Sequence, residues 1–237
     1  MTVLIEEPYR ERQALIPGAQ VWTRTALGGE FRILPDGCMD LLLTDDELMV
    51  AGPDSQAWTG VSDDRGTQYA GLRFAPGSAP DFLGVPAREL LNQRVPLSDL
   101  WSPTKSRQLR DRILTAPNAS EALDFEVAKL AATPADGLAL QVLRSVRAGL
   151  LRGTAGVSRL AGTVGLSERQ LHRRCLDAFG YGPKMLDRVL WMNVALDQAR
   201  TGISLADVAI RHGYADQAHF TRDVKALTGV PPRILLG

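Results

Sequence analysis

The chain has 237 residues, of which 45% are hydrophobic and 23% are charged. This length and composition predict one large or two small folded domains and exclude a protein that is disordered throughout. The formal net charge is zero, but residues 1–133 carry 13 basic and 19 acidic side chains, whereas residues 134–237 carry 14 and 8. Such an asymmetry suggests that a polyanion-binding module follows a module with a different role.

The two cysteines, Cys38 and Cys175, lie far apart in the chain. They offer neither a disulfide framework nor a paired metal-binding motif, which favours a reducing, cytoplasmic compartment. The N-terminal residues do not resemble a signal peptide, and every apolar stretch is far shorter than the ~20 residues that span a bilayer. We therefore expect no membrane partner, no metal and no cofactor.

The acidic half begins with β structure. Five short segments have strand-like composition and are separated by turn residues such as Pro, Asp and Gly. They cover residues 19–25, 31–34, 38–44, 47–51 and 68–74. Helical patterns follow at residues 80–83, 86–91, 103–114 and 120–131. The order predicts an α+β protein whose N-terminal part is a small β-barrel or sandwich with helices at its end.

A cluster of Pro, Asp and Gly predicts a linker at residues 132–137. The linker would separate an acidic sensor or dimerisation domain, residues 1–131, from a helical domain, residues 138–237. The boundary coincides with the change in charge, which is the reason for placing it there.

The helical half contains an internal repeat. Residues 157–179 and 205–228 each show a short helix, a turn with glycine and a second helix, and a longer helix at 183–200 connects them. In the second helix of each unit, the spacing of apolar residues predicts which side chains face inward. They are Leu171, Cys175, Ala178, Phe220, Val224 and Leu227. Two helix-turn-helix units of this kind place their second helices in the major groove of DNA.

The remaining positions of the two second helices are mostly polar or cationic. Arginine forms two hydrogen bonds with guanine and glutamine does so with adenine, so such residues suit base and phosphate contacts. They are Arg169, Gln170, His172, Arg173 and Arg174 in the first unit, and Gln217, His219, Thr221, Arg222 and Lys225 in the second. Outside a repeat, such a pattern is more often a solvated face. The histidines lack further ligands at zinc spacing.

Residues 135–232 resemble the AraC-type DNA-binding domain, which has seven helices and two helix-turn-helix units joined by a long helix. The first copy matches at Ser158, Leu160, Ala161, Gly165, Leu166, Ser167, Leu171, Arg173, Gly180 and Pro183. The second copy matches at Asp207, Val208, Ala209, Gly213, Tyr214, Asp216, Phe220, Arg222, Lys225, Gly229, Val230, Pro231 and Pro232. The resemblance implies a bacterial transcriptional regulator.

The same resemblance implies which residues read bases in successive major-groove segments. They are Arg169, Gln170 and Arg173 in the first unit, and Gln217, Ala218, Thr221 and Arg222 in the second. The sequence departs from the family in two places, because Trp191 stands where the connecting helix usually carries arginine and Ala218 stands where a polar residue is common. Double-stranded DNA is the expected partner. RNA polymerase as a second partner, and a monomer or a homodimer, stay open.

The acidic half is similar to a little-characterised N-terminal domain found fused to such DNA-binding modules. The shared residues are Leu34, Pro35, Asp36, Gly37, Asp40, Leu41, Gly52, Pro53, Gly71, Arg73, Phe74, Pro76, Gly77, Leu83, Gly84, Val85 and Pro86. The similarity implies a truncated cupin-like barrel for sensing or dimerisation. Candidate effector residues are Trp22, Met39, Asp40 and Arg73, with core packing and an Asp40–Arg73 ion pair as the alternatives.

Two other functions compete with DNA binding. A cupin-type enzyme with an accessory helical domain would need several imidazole ligands, but residues 1–133 contain no histidine. A helical protein-interaction module would not need a net charge of +6 or two cationic recognition helices. We therefore expect a DNA-binding regulator rather than an enzyme.

Overall fold

The computed structural model describes residues 9–26, 28–62, 66–130, 136–153 and 155–237. Within them, seven strands come first, helices with one short strand follow up to residue 130, and helices alone follow from residue 137, in agreement with the predicted α+β class. Of the predicted linker 132–137, residues 132–135 lie outside the described part of the chain, and Gly137 already begins a helix.

Antiparallel strands build the N-terminal region. In chain order they are β1 (Tyr9–Gln13), β2 (Gln20–Thr25), β3 (Gly29–Ile33), β4 (Met39–Thr44), β5 (Glu47–Ala51), β6 (Trp58–Ser62), β7 (Gln68–Phe74) and β8 (Arg94–Pro96). Six of these form one sheet in the order β1–β2–β7–β4–β5–β8, and β3 pairs with β6 in a second sheet. Among the described residues, β1 and β8 do not pair with each other. The larger sheet is therefore open, and the small β domain predicted from the sequence consists of two antiparallel sheets rather than a closed barrel.

The larger sheet has one face in the hydrophobic core and one face toward the small sheet. Along β4, Met39, Leu41 and Leu43 are buried in the core, because alternate side chains of a strand point to opposite faces. The helices of this region are α1 (Ala79–Leu83), α2 (Leu97–Leu100), α3 (Pro103–Leu114) and α4 (Ala119–Leu130), with a 3-10 helix at Ala87–Leu90. Leu109 and Ile113 of α3 pack on the core face of the larger sheet.

The helical region has two separate cores that share one long helix. Its helices are α5 (Gly137–Arg147), α6 (Gly156–Thr163), α7 (Glu168–Phe179), α8 (Pro183–Arg200), α9 (Leu205–Arg211), α10 (Gln217–Thr228) and α11 (Pro232–Leu236). Leu186 and Val189 of α8 are buried in the first core, and Met192 and Leu196 are buried in the second. None of the helices in the described ranges combines the length and apolarity needed to cross a membrane.

The repeat predicted from the sequence appears as two similarly capped recognition helices. α7 and α10 each contain 12 residues. The Ser167 side chain accepts a hydrogen bond from the third residue of α7, and the Asp216 side chain does so at the start of α10. Gly180 and Gly229 end these helices with φ of 83° and 78°, a left-handed conformation that glycine adopts without strain. The two units therefore present their second helices alike.

The predicted inner faces of α7 and α10 are found with one exception. Leu171, Cys175, Phe220, Val224 and Leu227 are buried. Ala178 is only half-buried, and the neighbouring Phe179 takes the buried position at the end of α7.

The N-terminal region contacts the C-terminal ends of both recognition helices. At the end of α10, Arg32 donates a hydrogen bond of 2.5 Å to the Thr228 carbonyl. Leu34 is buried in the second helical core. At the end of α7, Arg88 forms an ion pair with Asp177. The N-terminal turns of α7 and α10 remain exposed, so these contacts do not cover them.

Candidate nucleic-acid interface and effector cavity

Cationic side chains project from the exposed faces of both recognition helices. Four of these residues are exposed, Arg169 and Arg173 on α7 and Arg222 and Lys225 on α10. Their side chains form no ion pair or hydrogen bond within the described residues. Arg173 lies six residues after its N-cap, and Arg222 lies six residues after its own. The two arginines thus occupy equivalent positions in the two units.

The second helix presents three more of the candidate base-reading residues. Gln217 and Ala218 are exposed in the first turn of α10, and Thr221 is half-buried one turn later. Ala218 contributes no hydrogen-bonding group, so α10 has fewer polar readers at its start than a fully polar helix would have.

Gln170 has a structural task at the start of α7. Its Oε1 accepts hydrogen bonds of 2.9 Å from the backbone N–H and from the hydroxyl of Ser167. Together with the bond from the Gln170 N–H to Ser167 Oγ, this is a capping box. The amide oxygen of Gln170 is therefore engaged within the protein, and its NH₂ group is the part that can face a base.

Both candidate histidines lie beside turns. A Cβ on Gly182 would lie 2.5 Å from His172 Cε1, so the imidazole packs directly on that backbone. His219 Nδ1 accepts a bond of 3.4 Å from the Ala215 N–H, and its ring meets Tyr214 edge-on at 5.3 Å. These contacts give both residues a role in turn geometry.

Arg174 is directed away from the other cations of α7. Its Nη2 lies 3.5 Å from Oδ2 of Asp136, the residue that caps α5. The structure therefore separates Arg174 from Arg169 and Arg173.

The arrangement suits a polyanion with a periodic backbone. Exposed guanidinium groups stand on two helices, and both helix N-termini carry the partial positive charge of the helix dipole. Arginine can pair with phosphates or with guanine edges, which gives one surface both affinity and selectivity. Among the described residues, no group of three His, Cys, Asp or Glu side chains is placed to hold a metal ion.

A cavity of about 220 Å³ lies between the two sheets of the N-terminal region. Four aromatic side chains line it, together with apolar residues and several charged groups. The aromatic residues are Trp22, Phe31, Trp58 and Tyr69, and the charged ones are Arg24, Asp36, Asp40, Asp54, Arg73 and Arg94.

Three of the four candidate effector residues meet in this cavity. Trp22 Nε1 donates a bond of 2.7 Å to Asp40 Oδ1, and Arg73 Nη2 lies 3.3 Å from the same oxygen. Burial raises the pKa of Asp40, while the charge of Arg73 opposes that shift. Met39 is on the opposite face of β4, in the hydrophobic core, so its assignment to this site is wrong.

Two further cations line the cavity that were not predicted from the sequence as site residues. The guanidinium of Arg24 lies 4.8 Å from the centroid of the Phe31 ring, and that of Arg94 lies 4.6 Å from the centroid of Trp58. Arg94 also pairs with Asp54 over 2.6 Å. Arg24 follows Trp22 by two residues and so shares its face of β2, which is the signal that could have identified it.

Two family models match separate parts of the chain. Residues 160–236 match a family described as a helix-turn-helix domain, and residues 19–96 match a domain of unknown function, DUF6597. No match is found among curated protein sequences.

One solved structure shares the overall fold of the chain. The chain is similar to unsaturated fatty acid-bound wild-type ToxT from Vibrio cholerae strain SCE256, with 11% identity, a TM-score of 0.50, and coverage of 94% of this chain and 96% of that chain. ToxT from Vibrio cholerae O395 aligns with 11% identity and a TM-score of 0.48, with 96% of each chain covered. The matched region contains both capped recognition helices, α7 and α10, so residues 160–236 belong to the helix-turn-helix domain family.

Proposed function

We propose that the chain binds a specific duplex site by placing α7 and α10 in two successive major-groove segments. The observation that carries this proposal is the equivalence of Arg173 and Arg222 on two equally long helices. A helix of this kind contacts base edges with residues of its N-terminal half, and that half is exposed in both units.

The candidate DNA-contacting residues divide into four groups under this proposal. Arg169, Arg173, Gln217 and Arg222 read bases, with Thr221 at the edge of the contact. Lys225 lies farther along α10 and contacts phosphate. Gln170, His172, Arg174 and His219 support the recognition surface through the structural contacts described above, and Ala218 offers only an apolar contact to a thymine methyl group.

We further propose that a small molecule binds in the cavity between the two sheets and controls DNA binding. ToxT has been crystallised with an unsaturated fatty acid, which makes an effector a reasonable proposal for a chain of the same fold. The present cavity is smaller than the ~300–1,000 Å³ of drug-sized sites, so we expect a compact effector.

The path from the cavity to DNA runs through the loop after β3. Leu34 lines the cavity and is also buried in the second helical core. The next carbonyl, that of Pro35, accepts a bond of 2.8 Å from Asn193 on α8. A ligand that moves this loop would therefore act on the second unit and on the connecting helix.

Selection of duplexes from a random pool by the full-length protein tests DNA recognition. We expect one enriched site with two short conserved blocks and an affinity that falls steeply with salt, with a slope of about −0.9 in log K against log salt for each neutralised phosphate. Failure to enrich any sequence, or an affinity that does not depend on salt, would favour the alternative of a protein-interaction module.

A further inference from the structure

A polar cleft of about 330 Å³ lies between the two helix-turn-helix units, beside α8. One wall is the loop between α5 and α6, which leads into the first unit and carries Arg152. The opposite wall is the turn of the second unit, with His212 and Gly213. Trp191 on α8 lies between them. The cleft is the place where the two units face each other directly.

The Arg152 side chain crosses this cleft. Its Cζ lies 4.0 Å from the centroid of the Trp191 ring, in the geometry of a cation–π contact. Its Nη1 lies 3.5 Å from the position that a Cβ on Gly213 would occupy. The Trp191 ring in turn lies 5.6 Å from the ring of His212. The guanidinium of Arg152, just before the first unit, therefore contacts the connecting helix and lies beside the turn of the second unit.

The loop that carries Arg152 is itself anchored. Arg159 on α6 donates hydrogen bonds to two carbonyls of this loop, those of Leu150, at 3.3 Å, and Arg152. His212 is only 9% exposed, and burial together with the charge of Arg152 lowers its pKa. A neutral imidazole beside Arg152 avoids repulsion between like charges at the closest approach of the two units.

Arg152 lies on the loop between α5 and α6, and the indole of Trp191 on α8 provides the surface on which its guanidinium stacks. A separate ion pair also connects α8 to the second unit, because Arg188 pairs with Asp223 of α10 over 2.6 Å. Loss of Arg152 would leave that ion pair and both hydrophobic cores in place.

We propose that Arg152, stacked on Trp191, is a positioning residue that fixes the relative orientation of the two helix-turn-helix units. It thereby sets the spacing between the two DNA segments that the protein accepts. The orientation of the two units is a property of the free protein, whereas the spacing of the DNA segments rests on the proposed function.

The orientation is measured on the full-length protein without DNA. Spin labels at Glu168→Cys on α7 and Ala226→Cys on α10, both exposed positions, in a Cys38→Ser background report the distance between the recognition helices by pulsed electron paramagnetic resonance. We expect a broader or shifted distance distribution for Arg152→Ala and for Trp191→Ala. Trp191→Phe, which keeps an aromatic face, should restore most of the wild-type distribution. Arg147→Ala, at an exposed arginine on α5, is the matched control and should change nothing.

The spacing is measured with the selected duplex and with a duplex that has one additional base pair between the two blocks. We expect the insertion to weaken wild-type binding by about tenfold and to weaken Arg152→Ala binding much less, because the units can then adjust to the longer site. An unchanged distance distribution in Arg152→Ala would overturn the positioning role. An unchanged penalty for the insertion, despite a broader distribution, would overturn the link to site spacing. If the wild-type protein enriches no duplex, the proposed DNA recognition fails, while the distance measurement still decides the role of Arg152.

Discussion

Trp22 and Asp40 are joined by a hydrogen bond of 2.7 Å between the indole N–H and the carboxylate, inside the cavity of the N-terminal region. The same carboxylate oxygen lies 3.3 Å from Arg73 Nη2, and β4 and β7 pair Asp40 directly with Arg73 across the sheet. One half-buried carboxylate thus contacts both an indole donor and a buried cation, and the same cation also lies 3.6 Å from Oδ2 of Asp36.

Removing that carboxylate should destabilise the protein. Asp40→Ala leaves the Trp22 N–H without this acceptor and takes one carboxylate from Arg73, so we expect a loss of about 2–4 kcal/mol in the free energy of unfolding. Urea denaturation measures it, with Asp99→Ala at an exposed site as the control. The double variant Asp40→Ala, Arg73→Met should be more stable than Asp40→Ala alone. Equal stability of the single variant and the wild type would contradict this account.

The close contact of Trp22 with β7 depends on a glycine. A Cβ on Gly71 would lie 2.2 Å from Trp22 Cε2, whereas a Cβ on Gly162 of α6 would meet nothing within 4 Å. We expect Gly71→Ala to lower the free energy of unfolding by about 1–3 kcal/mol through overpacking. Gly162→Ala should raise it by about 0.5–1 kcal/mol, because alanine is the better helix former. Thermal denaturation of both variants shows whether each substitution lowers or raises stability. A stabilising effect of Gly71→Ala would refute the packing argument.

The cap of α10 provides a third prediction. The Asp216 side chain accepts a bond of 2.6 Å from the His219 N–H. Asp216→Ala should therefore cost about 0.5–2 kcal/mol of stability, whereas Asp216→Asn, which keeps a good N-cap, should stay close to the wild type. Hydrogen exchange in the first turn of α10 locates the effect. Equal protection in the two variants would show that the cap does not hold this turn.

The buried His212 predicts a dependence of stability on pH. Its pKa is lowered in the folded protein by burial first and then by the charges of Arg152 and Arg211. The unfolded chain then binds more protons than the folded one below about pH 6.5, so stability is lost as the pH falls through and below that value. The fall in melting temperature between pH 7.5 and pH 5.5 should be smaller in His212→Gln. The exposed His172→Gln serves as the control, and an equal fall in all three proteins would rule out this role of His212.

Much of this architecture could be predicted from the sequence because local signals agreed with the fold. The α3 bounds follow from a Pro at the helix start and an apolar stripe, and the caps of α7 and α10 follow from Ser167 and Asp216. β1 was not predicted, because all but its first residue are exposed and its place depends on backbone pairing with β2. β6 was also missed, since Gly60 interrupts it. That glycine leaves room for Phe31, whose ring would lie 2.7 Å from a Cβ there.

The cavity shows why a site is harder to predict than an element. Met39 and Asp40 are neighbours on β4, so their side chains must point to opposite faces and only one of them can line the cavity. Arg94 reaches the cavity from a short strand at the other end of the sheet, through an ion pair with Asp54. No local pattern links residues 40 positions apart, and only the strand order brings them together.

The most direct test of two-unit recognition compares Arg173→Ala with Arg222→Ala on a complete set of single-base variants of the selected duplex. We expect each substitution to remove about 1–3 kcal/mol of discrimination at one or two base pairs. The two affected positions should lie in different blocks, about 10 base pairs apart, because the two arginines occupy equivalent positions on helices in successive major-groove segments. Arg147→Ala should alter discrimination at no base pair. Loss of discrimination at the same base pairs in both variants, or effects no larger than those of Arg147→Ala, would contradict the account.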